Sequence, residues 1–279
     1  KRRKKGGEAA EVLLEGHTDA VMGLSWNKMQ RNVLASASAD HTVRLWDLSG
    51  AGAGSVQAFT HHTDKVQAIQ WNPTEPPVMA TGSFDGFAAV IDVRAAEATR
   101  SFPISADAEK VCWSPHSGSC FVVATEDGNL RCFDVRMSGD GGTAGHKDST
   151  SPLWQLQAHA QSASAVDWCP GAADVIATGS QDKTVKLWSI SGNSPKLLAK
   201  RNLQLGGVFD IKFSEDSPAL LGVGGAKGKV GIWNTLEVDD MQARMPQAEA
   251  ALAEDGRVMG GAVAGMGSLD VNSDSDDDE

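Results

Sequence analysis

Several classes of protein are excluded by what this sequence lacks. It contains only four cysteines among 279 residues, with no Cys-x-x-Cys pair and no metal-like spacing to histidine. No apolar run approaches the roughly 18 residues that a membrane-spanning helix needs. We therefore expect buried free thiols, a reducing compartment and no membrane contact. The cysteines are Cys112, Cys120, Cys132 and Cys169.

Motifs for nucleotide binding and catalysis are also absent. Gly222–Lys229, GVGGAKGK, lacks the spacing of a Walker phosphate loop and the third glycine of a dinucleotide fingerprint. Serine, histidine and aspartate do occur together, but they recur with a fixed period, whereas a catalytic set would normally occur once. We predict a protein that is not an enzyme and that uses no cofactor, no metal and no small-molecule substrate.

What the sequence does contain is one unit copied five times. Two series of anchor residues share the same successive intervals of 45, 42, 55 and 45 residues, which indicates repetition with an insertion before the fourth unit. The opening anchors are Trp26, Trp71, Trp113, Trp168 and Phe213. The closing anchors are Trp46, Ile91, Phe133, Trp188 and Trp233.

Each unit has the composition of a small antiparallel sheet. In the first, Val21–Trp26, Val33–Ser38 and Thr42–Trp46 are strand-length runs of apolar or β-branched residues. A period in the low forties that opens on Gly-His and closes on Trp-Asp is typical of a WD-repeat β-propeller blade. No unit contains a 12-residue helical pattern. We predict an all-β fold of five WD-repeat blades.

Five blades predict an incomplete ring. Closed propellers have roughly four to eight blades, and WD-repeat propellers most often have about seven. Ala9–Leu14 has the pattern of an outer strand from a preceding blade. An open arc would expose strand edges, which proteins avoid. We expect about two further blades on the N-terminal side.

The predicted domain boundaries follow the repeats. The propeller portion covers residues 9–235, with a flexible insertion at 139–152. A basic exposed segment at 1–8 precedes it. An extension at 236–279 follows, with a short helical pattern, a glycine-rich part and a disordered acidic tail. The repeats cover about residues 15–48, 60–94, 105–136, 157–190 and 203–235.

The two most faithful units carry the residue types of a buried polar network. A buried indole N–H needs an acceptor, and a histidine held between a carboxylate and a hydroxyl completes such a chain. The predicted members in unit one are His17, Ser36 (or Ser38), Asp40 and Trp46. In unit four they are His159, Thr178 (or Ser180), Asp182 and Trp188.

The other three units lack one or more of these residues. Unit two keeps His62 and Asp85 but has Ile91 in place of tryptophan. We expect networks that lost one member to have lost the others, since a half-satisfied buried network costs more than an apolar one. The replacements in units three and five are Asp107 for His, Phe133 for Trp, Gln204 for His and Lys227 for Asp.

Charge is distributed unevenly. The formal net charge is −11, and the body between the basic head and the acidic tail carries −10. So acidic a body is not a general phosphate-binding surface, and we expect any RNA contact to be local. The head is a cluster typical of nuclear-import signals, or alternatively a solvated loop. It consists of Lys1, Arg2, Arg3, Lys4 and Lys5.

The acidic tail, Asp270–Glu279, contains two serines that suit an acidophilic kinase. Ser273 and Ser275 each have aspartate three positions on. Phosphorylation would add roughly −1.5 to −2 charge at each. Our hypothesis is that the tail engages a basic partner or competes with RNA for one.

Two consecutive units close on a Trp-Asp-x-Arg pattern with the tryptophan replaced, placing Arg94 and Arg136 at matching positions. Such paired motifs resemble those of propellers that serve as substrate receptors for cullin ubiquitin ligases. The alternative, which we favour, is an arginine that ends a strand and pairs with a neighbouring carboxylate.

The sequence resembles the periodic tryptophan protein 1 family of nucleolar WD-repeat proteins. The resemblance is carried by GHTDAV, LSWNK, RNVLASASADHTV and LWDL in the first unit, by HTDKVQ at His62–Gln67 and by DKTVKLW at Asp182–Trp188. It implies a scaffold in early assembly of the large ribosomal subunit and in processing of its precursor RNA. Assembly factors, pre-60S particles and local pre-rRNA would be its partners, in the nucleus and nucleolus. The alternative function is a chromatin-associated or cullin-receptor propeller.

Overall fold

The computed structural model describes residues 13–49, 55–137, 151–192 and 194–247. These residues form five antiparallel sheets. We call the sheets blades 1 to 5, and their inner strands line a common central channel. The basic cluster at 1–5, residues 139–150 of the insertion, and the tail serines Ser273 and Ser275 lie outside the described residues.

Blades 1 to 4 have four strands each, in sequence order from the channel outward, and blade 5 has three. Blade 1 consists of β1 (Val21–Trp26), β2 (Val33–Ser38), β3 (Val43–Asp47) and β4 (Ser55–Phe59). Blade 2 consists of β5 (Val66–Trp71), β6 (Val78–Ser83), β7 (Phe87–Asp92) and β8 (Arg100–Pro103). Blade 3 consists of β9 (Ala108–Trp113), β10 (Cys120–Thr125), β11 (Asn129–Asp134) and β12 (Trp154–Gln157). Blade 4 consists of β13 (Ala165–Trp168), β14 (Val175–Gly179), β15 (Val185–Ser189) and β16 (Lys196–Arg201), and blade 5 of β17 (Val208–Phe213), β18 (Leu220–Gly225) and β19 (Lys229–Asn234).

The hairpins between the second and third strands share one turn geometry. In blades 1 to 4 a turn aspartate accepts the backbone N–H two residues on, at 2.9–3.1 Å. The residue after this aspartate, or its equivalent in blade 5, has a positive φ, which glycine adopts freely and other residues adopt at a cost. The five residues are His41, Gly86, Gly128, Lys183 and Gly228.

The core lies between the blades. The closing anchors are 0–6% exposed and the opening anchors of blades 2 to 5 are 1–5% exposed, so these nine anchors are buried and only the opening anchor of blade 1, Trp26, is exposed. Blades 4 and 5 approach closely at Gly179, where an added Cβ would lie 2.5 Å from Val208 Cγ1 of blade 5. The all-β propeller prediction is therefore confirmed.

Two sheet faces stay uncovered, one at each end of the arc. Blade 1 exposes Leu24 and Trp26, and blade 5 exposes Val230 and Ile232. Of the predicted outer strand at residues 9–14, the described part is Leu13 and Leu14, and neither lies in a strand. An outer strand needs a neighbouring strand to pair with, and none of the described strands pairs with this segment.

The start of the C-terminal extension returns to the propeller rather than running off it. After a 3-10 turn at Thr235–Glu237, helix α1 spans Asp239–Arg244. Met241 and Met245 are 0 and 2% exposed and pack into the core cluster of blades 4 and 5. Arg244 Nε donates to Asp174 of blade 4 at 3.0 Å. Residues 236–247 are thus part of the folded unit.

Candidate interaction surfaces

Blades 1 and 4 contain the predicted polar networks. In blade 1, Trp46 Nε1 donates to Ser36 Oγ at 2.8 Å, and this hydroxyl lies 2.7 Å from His17 Nε2. His17 Nδ1 donates to Asp40 at 2.8 Å. Ser38, the alternative hydroxyl, instead donates to the Asp19 carbonyl.

Blade 4 repeats this geometry with Thr178 in the hydroxyl position. Trp188 Nε1 donates to Thr178 Oγ1 at 3.0 Å, which lies 2.8 Å from His159 Nε2. His159 Nδ1 donates to Asp182 at 2.9 Å. In each network every polar group has a partner, so the loop before the first strand is fixed to the hairpin of the same blade.

Blade 2 departs from our expectation, because its network survives the loss of tryptophan. His62 Nδ1 donates to Asp85 at 2.8 Å, and Thr81 Oγ1 lies 2.9 Å from His62 Nε2. Ile91 carries no donor, but His61 Nε2 lies 3.3 Å from the same Thr81 oxygen. A second imidazole therefore contacts this hydroxyl, as the indole does in blades 1 and 4.

Blade 3 lacks the histidine and the tryptophan but contains a different polar network, which also differs from our expectation. Arg131, 7% exposed, donates to Thr125 Oγ1 at 2.8 Å and to Asp127 at 3.0 Å. The guanidinium reaches the network from the third strand, at a position that is not one of the four predicted network positions. Burial alone would raise the pKa of Asp127, but hydrogen bonds from Thr125, Arg131 and Asn129 outweigh it and lower the pKa to about 2.

Blade 5 is the one blade that has lost the network without replacement. Gln204 and Lys227 occupy the histidine and aspartate positions, as the sequence shows. The indole Nε1 of Trp233 is buried and has no hydrogen-bond partner within the described residues. The Arg201 guanidinium lies 4.9 Å from the Trp233 ring centroid, and this cation–π contact stabilises the ring.

Burial favours the neutral form of two network histidines, His159 and His62. It lowers the pKa of His159, an effect that the hydrogen bond and charge of Asp182 only partly offset. The pKa of His62 is lowered in the same way, against the opposing charge of Asp85. Burial would raise the pKa of Asp182, but hydrogen bonds from Thr184 and His159 lower it overall. These sites hold loops in place at neutral pH.

One end of the propeller carries the hairpins between the second and third strands of each blade, and we call it the hairpin face. This face is acidic at blade 3. Glu109 is half-buried; burial raises its pKa, and the charges of Glu126 and Asp107 add to the shift. The Glu126 N–H donates to the Asp107 carbonyl at 3.0 Å, which holds the two segments together. Nearby, the Lys65 ammonium lies 3.6 Å from the Phe84 ring centroid.

The opposite end presents the two predicted arginines in matching geometry. Arg94 donates from Nε and Nη2 to the two oxygens of Asp92, at 3.0 and 2.7 Å. Arg136 makes the same fork with Asp134, at 3.1 and 2.7 Å. Their side chains remain 72 and 73% exposed. The arginine–carboxylate pairing that we favoured is present, and each guanidinium keeps one face open to solvent.

The central channel has a volume of about 580 Å³ and is lined by the inner strands of all five blades. Ion pairs cross it: Lys110 Nζ lies 3.0 Å from Asp210, and Lys28 pairs with Glu215. In residues 13–49, 55–137, 151–192 and 194–247, no group of three His, Cys, Asp or Glu side chains could hold a metal ion.

Of the cysteines, Cys112, Cys132 and Cys169 are buried and Cys120 is partly buried, all as free thiols. Burial raises the pKa of Cys112 to about 12. The described part of the chain has no helix long and apolar enough to cross a membrane.

The WD domain, G-beta repeat family matches residues 10–47, 54–92 and 150–189. This chain is a WD-repeat protein. The matched segments include the first, second and fourth units, in which the structure shows the histidine–aspartate pair. WD repeats are modules for protein–protein interaction, so the similarity points to a non-catalytic scaffold.

Three relatives extend the comparison to most of this WD-repeat chain. A WD repeat-containing protein of Schizosaccharomyces pombe, described as uncharacterized, is 42% identical over 83% of the chain and 43% of its own length. The periodic tryptophan protein 1 homolog of Drosophila melanogaster is 30% identical over 80% of the chain and 47% of its own length. Periodic tryptophan protein 1 of Saccharomyces cerevisiae is 27% identical over 87% of the chain and 44% of its own length. The chain spans about half the length of these relatives.

Proposed function

We propose that this protein is a non-catalytic scaffold for assembly of the large ribosomal subunit and processing of its precursor RNA, acting in the nucleus and nucleolus. The observation that carries the proposal is the similarity to periodic tryptophan protein 1 over 80 and 87% of the chain in two organisms. Its partners are assembly factors and pre-60S particles, with at most local contact to pre-rRNA.

The rigid hairpin loops support a binding role. Asp40 receives the backbone N–H groups of Thr18 and Thr42, at 3.0 and 2.9 Å, and the ring N–H of His17. Asp182 and Asp85 hold their own hairpins in the same way. Since these loops are ordered before a partner arrives, little conformational entropy is lost on binding.

Charge indicates which partners fit. Asp107, Glu109 and Glu126 make the hairpin face of blade 3 acidic, and the body of the chain carries −10. An acidic surface attracts basic protein segments and repels the RNA backbone. We assign basic assembly proteins to this face. Phosphorylation of Ser273 and Ser275 in the tail would add to the same attraction.

The test is affinity purification of the protein from cells, sized on a gradient with and without nuclease. Co-migration with precursor large-subunit particles supports the proposal, and nuclease sensitivity shows that RNA mediates the contact. Asp107→Asn with Glu126→Gln should reduce recovery of partners. Glu75→Gln with Asp216→Asn removes the same charge outside the hairpin face and should not. Absence of pre-ribosomal particles from the purified fraction would refute the proposal.

A second candidate, a cullin-ligase substrate receptor, is favoured by the matching forks of Arg94 and Arg136 on neighbouring blades. Each guanidinium is exposed and held in one orientation, as an adaptor contact requires. Charge reversal at both positions should abolish adaptor binding while leaving the melting temperature unchanged. Recovery of a cullin adaptor or nucleosomes in place of ribosomal precursors would promote this candidate.

A further inference from the structure

Six lysines on the outer part of blades 4 and 5 lack an acidic partner, unlike the other lysines that the structure describes. Lys28, Lys110 and Lys212 pair with carboxylates, and Lys65 lies over the Phe84 ring. None of the six forms an ion pair with a described residue. They are Lys183, Lys186, Lys196, Lys200, Lys227 and Lys229.

The sequence around these six lysines lacks acidic residues. Residues 183–209 contain four lysines and one arginine but neither aspartate nor glutamate. Residues 217–236 contain two lysines and again no acidic residue. The arginine, Arg201, pairs with Glu237. Since the whole chain carries −11, these segments form a locally positive surface on an acidic protein.

The fold brings five of the six together at the hairpin face. Lys183 and Lys227 lie in the hairpin turns of blades 4 and 5. The segment that links the two blades is bonded to both hairpins. The Val208 N–H donates to the Ser180 carbonyl of blade 4 at 3.0 Å, and the Lys227 N–H donates to the Leu205 carbonyl at 3.0 Å. We call the five the lysine surface, which consists of Lys183, Lys186, Lys200, Lys227 and Lys229.

Two members of the lysine surface face one another across neighbouring strands. Lys186 of β15 lies opposite Lys200 of β16, so both side chains leave the same side of the sheet and their charges repel. Burial lowers the pKa of Lys186, and the charge of Lys200 adds to this shift against the opposing charge of Asp182. Lys186 Nζ donates to the Ala158 carbonyl at 2.6 Å, which leaves two of its three N–H groups for a ligand. An anion between the two ammonium groups would remove the repulsion.

Protection of an open strand edge does not account for this concentration of lysine. Lysines on edge strands do discourage pairing with other chains. The outer strands β4, β8 and β12 nonetheless contain one basic residue between them, Arg100, whereas β16 contains three. Lys183 and Lys227 lie in turns, which have no edge to protect.

We propose that the lysine surface binds the phosphate backbone of RNA without reading its sequence. Lysine meets phosphate as a compact point charge with three rotatable donors, and such contacts carry no sequence information. Protein–protein interfaces are depleted in lysine and enriched in aromatic residues and arginine, so the composition favours a phosphate strand over an acidic protein. The choice of RNA over DNA rests on the proposed function, whereas the phosphate contacts do not.

Fluorescence anisotropy of a short unstructured RNA, titrated with the full chain at several salt concentrations, tests the proposal. The test variant combines Lys183→Gln, Lys200→Gln and Lys227→Gln, which replace exposed lysines. Lys186 is retained because it also bonds Ala158. We expect a loss of affinity of roughly tenfold and a salt slope shallower by up to about 2, because each phosphate contact on a single strand contributes about 0.7.

The matched control removes three cations from the end opposite the hairpin face, by Lys28→Gln, Arg31→Gln and Lys196→Gln. Its affinity and salt slope should remain those of the wild type. The basic residues at 1–5 are present in both variants, so their own attraction for RNA cancels. Equal losses in the two variants, or no loss in the test variant, would overturn the proposal.

Ultraviolet crosslinking read by mass spectrometry locates the RNA directly. Crosslinks should fall within residues 181–207 and 224–230. Crosslinks confined to residues 1–8 would overturn the proposal, because the basic head would then be the RNA site. A glutamate-rich peptide of the same charge is the second probe. If it bound as tightly as the RNA, the occupant would be an acidic protein and the proposal would fail.

This result is separable from the test of the proposed function. RNA binding that depends on the lysine surface, in a protein that does not co-migrate with precursor particles, would uphold the surface and refute the scaffold role. Co-migration of a protein whose test variant binds RNA as tightly as the wild type would uphold the scaffold role and refute the surface.

Discussion

The imidazole rings of His61 and His62 lie with their centroids 4.2 Å apart in blade 2. His62 has the carboxylate of Asp85 as its partner, whereas His61 Nδ1 is buried without a partner in the described part of the chain. Burial, and to a lesser extent the neighbouring His62, lowers the pKa of His61 to about 4. The network hydroxyl of blade 2 thus contacts a titratable imidazole, whereas the hydroxyls of blades 1 and 4 contact an indole, which does not titrate.

This replacement makes blade 2 sensitive to acid. The pKa of His61 is lower in the folded state than the ordinary value of 6.5, so below pH 6.5 the unfolded chain binds the proton first. Folding stability should therefore fall by about 2 kcal/mol from this residue between pH 7 and 5. Urea denaturation across that range should show a flatter pH dependence in His61→Gln. The control variant His41→Gln replaces an exposed histidine and should keep the wild-type pH dependence of stability. If His61→Gln also kept it, His61 would not be the source of the acid sensitivity.

The closing tryptophans should dominate the stability of their blades. Trp46→Ala or Trp188→Ala removes a large buried side chain and should cost about 3–5 kcal/mol in the free energy of unfolding. Trp188→Phe keeps most of the volume and removes the bond to Thr178, so about 1–2 kcal/mol is expected. Chemical denaturation measures both. Unchanged transitions for the alanine variants would disprove the blade assignment.

Arg131 should contribute more to the free energy of unfolding than Arg44, which occupies the same position in blade 1. Arg131→Met leaves Asp127 and Thr125 without their cation, at a cost of about 2 kcal/mol once the partial exposure of Asp127 is considered. Arg44 donates from Nη1 to Ser55, and its Nε has no partner among the described residues, so Arg44→Met should cost less than about 1 kcal/mol. Thermal unfolding of the two variants gives the comparison, and a larger loss for Arg44→Met would contradict the rebuilt network.

The docking of α1 predicts that the extension contributes to stability. Met241 is fully buried against blades 4 and 5. Met241→Ala should cost about 2–4 kcal/mol and should speed hydrogen exchange in β17 and β18 as well as in the helix. Exposed Met137, which is 61% exposed, provides the control substitution. If exchange changed in α1 alone, the helix would be an attachment without effect on the propeller.

The five blades could be predicted because packing buries the closing anchor in every copy and the opening anchor in blades 2 to 5. Trp71, Trp113 and Trp168 all fill the space beside a neighbouring blade, so their spacing is visible in sequence. Arg131 and His61 could not be predicted in their roles. Arg131 reaches the network from another strand, and His61 adjoins a motif histidine that already explained the site.

The hydrogen bonds that join neighbouring blades at the residue before each opening anchor could not be predicted for a different reason. Ser25, Gln70, Cys112 and Asp167 share a position but no chemistry, so no residue-type pattern marks them. Their common feature is that each precedes an opening anchor. The docking of Met241 was missed because a helical pattern shows that a segment is amphipathic but not which surface receives it.

In three of the four hydrogen-bonded contacts between neighbouring blades, half of the contact is a main-chain carbonyl that accepts an indole N–H, and this has a consequence for how such repeats evolve. A carbonyl group is present whichever amino acid is encoded, so mutation at Ser25, Gln70 or Cys112 cannot remove that half of the contact. Duplicated units can therefore diverge at these positions without separating from their neighbours. The architecture is inherited through the backbone, while the side chains become free to acquire individual partners.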